Sequence, residues 1–316
     1  MTLAVLFLVT VTTSSTYLIF SRERQATLDS LSAGSQVITA QQGQVEFASH
    51  GHGPPVLVLH GAGGGYDQGL LIARTFGGEG FQWIAPSRFG YLRSSLPTDA
   101  STAAQADAFA ELLDGLGVDR VAIIAMSGGV PPALQFAVRY PARTSALVLL
   151  SSAPYTPLTA ADQELPIPAW LFQALFGSDF PYWLLKKTAR TRLEAIFDVK
   201  PNFRARLSSD DRMFITDMVD AFEPVTMRMD GLRNEGAAIN PKAYYALETI
   251  NIPTLIVHAQ DDGINPIAIG EYTAQQIPDA EFIRLTTGGH LLLGHHTEIQ
   301  STTNTFLRDV VLGSSP

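Results

Sequence analysis

The stretch VAIIAMSGG, Val121–Gly129, places a serine between a run of apolar residues and two glycines. A serine hydroxyl attacks a carbonyl only when a base removes its proton, and the side chain must also stand clear of the backbone. A sharp strand-to-helix turn presents the side chain in this way, but it requires small residues two positions before and after the serine. Ala125 and Gly129 occupy those positions. Ser127 is therefore a candidate nucleophile, and the alternative interpretation is a cap for the following helix.

A second glycine-rich stretch, HGAGGG from His60 to Gly65, follows the apolar run PPVLVL. Such a loop can present backbone N–H groups to an anion, so a phosphate site is the alternative to a role in catalysis. A dinucleotide fingerprint would need glycine at position 66, where Tyr66 stands, and the G-K-[ST] end of a Walker motif is absent. The phosphate interpretation is thus disfavoured. We expect His60 itself to hydrogen-bond the loop rather than act as a base.

Two adjacent aspartates, Asp261 and Asp262, follow the apolar run TLIVHA in the stretch HAQDDGINP. A carboxylate at the end of a strand can orient a histidine and stabilise its protonated form. The residue types alone leave either aspartate possible, and the other would be a solvated turn residue.

A candidate base, His290, lies near the C-terminus in the stretch TTGGHLLLGHH. The two preceding glycines give the backbone freedom to turn the imidazole toward a nucleophile. His295 and His296 are rivals, but they lie near the start of a helix and are expected at the surface. The spacing H-E-x-x-H is absent, which disfavours a zinc site formed by these three histidines.

Composition excludes several classes of function. The chain has 316 residues, of which 46% are hydrophobic, so it is long enough for one large domain with a substantial core. Its formal net charge of −9 and the lack of a Lys/Arg run argue against a nucleic-acid partner. With no cysteine, the chain has neither disulfides nor thiolate chemistry. Nothing in the composition predicts the oligomeric state.

The N-terminal segment, residues 1–21, differs from the rest of the chain. It is uncharged until Arg22 and is about as long as a membrane-spanning helix, although Thr and Ser interrupt its middle. It has neither the positive start nor the small-residue end that is typical of a cleaved signal. The segment therefore predicts a transmembrane anchor and a membrane location, with export after signal cleavage or a soluble extension as the alternatives.

The remaining pattern alternates strands with helices, which predicts an α/β fold with a doubly wound, mostly parallel sheet. Strand patterns are missing from Pro154 to Ala246, where helical periodicity and aromatic residues prevail. We therefore expect a core formed by residues 36–153 and 248–316. Residues 154–247 are expected to form an inserted helical cap over the edge where ligands bind in such sheets.

Together these motifs resemble the α/β-hydrolase superfamily over about residues 36–311. The turn around Ser127 is similar to the nucleophile elbow G-x-S-x-G, with alanine in place of the first glycine. The order serine, aspartate, histidine is also that of the superfamily. Its acid loop commonly has an acid, three residues and then proline, and this spacing from Pro266 favours Asp262 over Asp261.

The resemblance implies a serine hydrolase that cleaves an ester or similar acyl bond with Ser127, His290 and Asp262. The N–H groups of Ala62 and Gly128 would form the oxyanion hole, and no metal or organic cofactor is expected. The same residues could also support C–C bond hydrolysis, lactone opening, amide cleavage, acyl transfer or cofactor-free peroxidase activity. A hydrolase-like protein that only binds its ligand is a further alternative.

Two features bear on the substrate. Six aromatic residues of the predicted cap either line a pocket for an apolar small molecule or pack the cap itself: Trp170, Phe172, Phe176, Phe180, Tyr182 and Trp183. Many relatives also have the stretch D-x-x-G-x-G-x-S beside the active site. This chain instead has SRFGYLRS, with Ser87 for the acid and Leu92 for the second glycine.

Overall fold

The computed structural model describes residues 2–155, 169–201, 203–204, 206–238 and 245–313. The strands are β1 Gln36–Ala40, β2 Gly43–His50, β3 Pro55–Leu59, β4 Gln82–Pro86, β5 Val121–Met126, β6 Thr144–Leu150, β7 Thr254–Ala259 and β8 Glu281–Leu285. The helices are α1 Thr2–Ala33, α2 Tyr66–Ile72, α3 Thr102–Gly115, α4 Val130–Arg139, α5 Ala169–Phe176, α6 Asp179–Ile196, α7 Ser209–Asp220, α8 Met229–Ala238, α9 Ile267–Gln276 and α10 His296–Leu312.

The eight strands form one sheet in the order β1-β2-β4-β3-β5-β6-β7-β8. Strands β1 and β2 form an antiparallel hairpin with Ala40 paired to Gly43, and β2 is also antiparallel to β4. The remaining neighbours are parallel. The predicted doubly wound, mostly parallel sheet with inserted helices is therefore confirmed.

The central strand β5 shows why a continuous apolar run marks this sheet. Its six residues are all buried. Val121, Ile123 and Ala125 pack into the core on one face, whereas alternate residues such as Ile124 pack into the core on the other. Since helices cover both faces, the strand needs no polar side and ends directly at Ser127.

In the described part of the chain between β6 and β7, four α-helices are present, α5 to α8. Several of their buried side chains form a separate hydrophobic cluster, to which Tyr182 of α6, Val219 of α7 and Met229 of α8 belong. Other buried residues of α7, such as Phe214, pack into the core of the sheet. For this insertion we propose the boundaries 154–247 and use the name cap. The cap therefore has its own apolar core, which allows it to shape one wall of a cavity.

The predicted transmembrane anchor is wrong. Among the described residues, no helix has both the length and the apolar character needed to cross a membrane. The polar run TTSST interrupts the apolar part of α1, and the helix continues through the charged stretch Arg22-Glu23-Arg24. A polar run of this kind is costly in a bilayer core. The membrane association and membrane location expected from this segment are corrected accordingly.

The second half of α1 instead packs against the cap. Phe20 is buried, with its ring 5.2 Å from that of Phe180 and 5.5 Å from that of Trp183. Arg24 lies 2.6 Å from the buried Asp179, and the Trp183 indole donates a hydrogen bond of 2.8 Å to Glu23. The helix thus covers part of the cap surface that its aromatic residues would otherwise expose.

Candidate active site

Ser127 lies in a strained turn directly after β5. Its φ of 51° is in the left-handed region, which is rare for a residue other than glycine. The cap positions of the following short turn and of α4 are Met126 and Gly129, so the alternative role of Ser127 as a helix cap is excluded. A Cβ placed on Gly129 would lie only 2.4 Å from the carbonyl oxygen of Leu59. The turn therefore requires glycine two positions after the serine, as a nucleophile elbow does.

The loop after β3 brings the Ala62 N–H beside this turn. A Cβ placed on Gly128 would lie 3.2 Å from the Ala62 nitrogen. The neighbouring Gly61 N–H donates to Gln68 over 2.9 Å, and the Gly63 N–H donates to the Tyr91 hydroxyl over 3.2 Å. Within the described part of the chain, no acceptor takes the Ala62 N–H. This loop is thus fixed on both sides of a donor that remains available to a ligand.

His290 and Asp262 form a hydrogen-bonded pair. His290 Nδ1 lies 3.0 Å from Asp262 Oδ2, while Asp262 Oδ1 accepts the N–H groups of Ile264 and Asn265, each at 2.8 Å. Burial by itself raises the pKa of Asp262, but His290 and hydrogen bonds from His258, His290 and Asn265 lower it more. The pKa is therefore held below its ordinary range, which keeps Asp262 ionised and able to orient His290.

Asp261, the other candidate acid, points elsewhere. It accepts the Gly289 N–H over 2.8 Å, and the Lys200 ammonium lies 3.6 Å from it. Asp198 of the cap also stabilises these loops, because it accepts hydrogen bonds from the N–H of Gly263 over 2.9 Å and from that of His290 over 3.1 Å. These two carboxylates hold the loops around the pair, whereas Asp262 alone contacts the imidazole through its side chain.

Ser127 and His290 both line one cavity beneath the cap. No hydrogen bond joins them in the described part of the chain, and the amide of Asn265 is 3.5 Å from the Ser127 oxygen. Hydrogen bonds between catalytic groups are often long without substrate and shorten in the reactive complex. The three predicted side chains are thus brought to one place by the ends of β5, β7 and β8.

The cavity has a volume of about 170 Å³ and a strongly apolar wall. Its cap residues are Phe176, Tyr182, Leu193, Ile196, Phe197, Met218, Phe222 and Leu232. Of the six aromatic residues considered from the sequence, Phe176 and Tyr182 line it, whereas Phe180 and Trp183 pack on α1. Trp170 is 73% exposed, and the side chain of Phe172 lies outside the described residues.

Two other histidines are structural. His60 hydrogen-bonds its loop, as predicted: Nδ1 is 2.7 Å from the Gly61 carbonyl, and Nε2 accepts the Arg88 N–H over 3.0 Å. The surface position expected for His296 is wrong, because its ring is buried between Phe76 and Phe214 and contacts the Leu291 carbonyl. His296 and Ile299, which are three residues apart at the start of α10, both face the core, whereas Thr297 and Glu298 between them are exposed.

The burial of His60 predicts a loss of stability in acid. Desolvation, followed by Arg88, lowers the pKa of His60 well below its ordinary value. In the unfolded chain His60 binds a proton near pH 6.5, whereas in the folded chain it stays neutral to a lower pH. The stabilising contribution of His60 to the free energy of unfolding is therefore present above pH 6.5 and is lost as the pH falls below it. For one such group we expect the unfolding free energy to fall by up to about 1.4 kcal/mol per pH unit.

Urea unfolding between pH 7.5 and 5 measures this slope. We expect His60→Gln to flatten it by about one proton, even if the variant is less stable at every pH. His52→Gln, at an exposed position, is the matched control and should leave the slope unchanged. An equal slope in His60→Gln and the unaltered protein would contradict the assignment of a neutral, buried His60.

A polar cluster next to Ala62 was not identified from the sequence. Arg88 and Tyr91, from the loop after β4, both donate to Glu235 of α8. The unusual stretch SRFGYLRS pointed to this loop, but no local signal singled out Glu235, which lies 147 residues after Arg88. Pairing over this separation depends on how the cap packs on the core.

Comparison with known proteins adds an independent finding. A family model described as alpha/beta hydrolase fold matches residues 54–297. The uncharacterized hydrolase YcgS of Bacillus subtilis is 27% identical over 274 residues, which cover 81% of this chain and 92% of that protein. The 2-hydroxymuconate semialdehyde hydrolase of Pseudomonas putida is 26% identical over 279 residues, or 84% of this chain and 90% of that enzyme.

A solved structure agrees in fold. The alpha/beta hydrolase fold protein from Nakamurella multipartita superposes with a TM-score of 0.76 at 24% identity. The match covers 87% of this chain and 99% of that one.

Proposed function

Because this chain belongs to the α/β-hydrolase fold family, we propose that it cleaves carboxylic esters through Ser127, His290 and Asp262. The family resemblance inferred from the sequence is confirmed, and the protein is a hydrolase of this fold. What we propose beyond the family is the ester as substrate and the joint catalytic role of Ser127, His290 and Asp262. The observation that supports them best is the meeting of a strained serine and an Asp-paired histidine in one apolar cavity.

The proposed reaction has two steps. Ser127 Oγ bonds to the carbonyl carbon while its proton moves to His290, and the oxyanion accepts hydrogen bonds from the Ala62 and Gly128 N–H groups. Each such donor is worth about 3 kcal/mol in studied enzymes. The C–O bond then breaks as His290 protonates the leaving alcohol. Water then attacks the acyl carbon and gives a proton to His290. As the bond between the acyl carbon and Ser127 Oγ breaks, His290 returns this proton to Oγ and the acid leaves.

The cavity favours a short, apolar acyl chain. Its volume of about 170 Å³ is close to that of an engineered cavity of about 150 Å³ that binds benzene. An acyl chain of about four to six carbons fills a comparable space. Because nearly all its lining is apolar, a charged acyl group would lose hydration without compensation there.

Rates with p-nitrophenyl esters from acetate to decanoate test this proposal. We expect kcat/KM to be highest at four to six carbons, and to shift to longer chains in Ile196→Ala, which enlarges the cavity wall. Ile283→Ala, in β8 outside the cavity, is the control and should keep the original preference. Absence of ester cleavage by the folded protein would contradict the proposed function.

C–C bond hydrolysis is the second candidate, because one relative is named a 2-hydroxymuconate semialdehyde hydrolase. That compound can be supplied directly and its disappearance followed by ultraviolet absorbance. The ester proposal predicts a kcat/KM for this acid well below that for p-nitrophenyl butyrate, since the acyl side of the site is apolar. The reverse order would establish the second candidate instead.

A further inference from the structure

We propose that Glu235 forms a polar subsite that selects a hydroxyl group on the alcohol part of the substrate. This inference rests on the proposed ester hydrolysis and adds a substrate class to it: short-chain monoesters of diols and related polyols. Esters whose alcohol part bears a carboxylate would be disfavoured. Three features of the cluster formed by Arg88, Tyr91 and Glu235 support this assignment.

The first feature is the fixed orientation of the Glu235 carboxylate. Its Oε1 accepts a hydrogen bond of 2.8 Å from the Tyr91 hydroxyl and another from Arg88 Nη2. Arg88 is in turn anchored, because it donates to the carbonyls of His60 and Gly61 over 3.0 and 3.2 Å. Two donors from the core therefore hold one oxygen of a cap residue in place.

The second feature is the position of the other oxygen. In the described part of the chain, no donor reaches Glu235 Oε2. A Cβ placed on Gly128 would lie 2.9 Å from this oxygen and 3.2 Å from the Ala62 nitrogen. The oxygen thus faces the backbone of the proposed oxyanion hole, and the absence of a side chain at Gly128 leaves room for it.

The third feature is that the polar cluster lies outside the apolar cavity. Leu232, one turn before Glu235 on α8, lines the apolar cavity, whereas Glu235 lies outside it. If the acyl chain fills the cavity, the group left beside the oxyanion hole is the leaving alcohol. An ionised carboxylate has only hydrogen-bond acceptors, so it binds a hydroxyl on that alcohol, whereas a carboxylate on the alcohol offers it no donor. Hydrogen bonds to charged groups are worth enough for a preference of about tenfold or more.

Three esters of equal acyl length and similar alcohol size test the subsite: n-propyl, 2-hydroxyethyl and carboxymethyl butyrate. The readout is the ratio of kcat/KM for the hydroxyethyl ester to that for the carboxymethyl ester. Glu235→Gln replaces one acceptor oxygen with a donor NH₂ group at almost constant size. Its amide oxygen has to face the donors from Arg88 and Tyr91, so its NH₂ group faces the substrate. We expect the ratio to fall at least tenfold.

Glu194→Gln is the matched control, because Glu194 is also a cap residue paired with an arginine, Arg204, but lies away from this cluster. It should leave the ratio unchanged. Glu235→Asp withdraws the carboxylate by about one bond and should lower the ratio for the hydroxyethyl over the n-propyl ester. Glu235→Asp therefore tests the subsite even if Glu235→Gln does not fold.

The outcomes separate the two proposals. Hydrolysis of n-propyl butyrate with unchanged ratios in both Glu235 variants would overturn the subsite while leaving ester hydrolysis intact. Failure of the unaltered, folded protein to cleave any of the three esters would remove the proposed function, and the subsite with it.

Discussion

Ser127→Ala is expected to lower kcat/KM for p-nitrophenyl butyrate by about 10⁶-fold, the size of the loss when a well-studied serine protease loses its nucleophile. No other described hydroxyl lines the cavity next to His290 in a strained turn. The alanine variant should fold normally, because Ser127 does not cap a helix and its hydroxyl makes only a long contact of 3.5 Å with the Asn265 amide among the described residues. The loss therefore measures chemistry rather than stability.

Two comparisons make this prediction specific. Ser152→Ala removes a nearby buried hydroxyl with no hydrogen-bond partner in the described structure, and it should retain near-full activity. The double variant Ser127→Ala/His290→Ala should be no slower than either single variant, since residues that act as one unit are not additive. A Ser127→Ala variant within tenfold of the original rate would show that another group performs the attack.

Asp262→Asn is the second large effect, with an expected loss of about 10⁴-fold in kcat. Asp262 Oδ1 accepts two backbone N–H groups, so an asparagine oxygen must remain on that side. Its NH₂ group would then face His290 Nδ1. The imidazole would have to accept there and carry its proton on Nε2, which prevents it from accepting the proton of Ser127.

Asp261→Asn is the matched control and distinguishes the two candidate acids. Its carboxylate braces the Gly289 N–H and lies near Lys200, so we expect a loss of less than about tenfold. Steady-state rates of both variants at pH 8, with thermal unfolding to verify folding, make the comparison. A greater loss in Asp261→Asn than in Asp262→Asn would reverse the assignment of the acid.

The strands that position these residues could be predicted because each depends on a short, continuous stretch of sequence. A strand covered on both faces is mostly apolar, so β5 and β7 could be predicted from the sequence along with the residues at their ends. The order of the motifs then placed Ser127, Asp262 and His290 at one edge of the sheet. Backbone strain at Ser127 follows from the same local pattern of small residues.

Features that depend on packing between distant segments were missed. The apolar start of α1 suggested a membrane span, but Phe20 and Arg24 pack against the cap instead. Likewise, Asp198 and Glu235 reach the site only because cap helices are placed on the core. No periodicity or motif in the sequence encodes which cap carboxylate contacts which core loop.

A fluorophosphonate probe tests most directly whether Ser127 is an activated nucleophile. Intact-mass spectrometry should show one covalent adduct per chain, located on the peptide containing Ser127. The adduct should be absent in Ser127→Ala and nearly absent in His290→Ala, while Ser152→Ala should be modified fully. Folded protein that remains unmodified by the probe, and also fails to cleave p-nitrophenyl acetate, would contradict the assignment of Ser127 as an activated nucleophile.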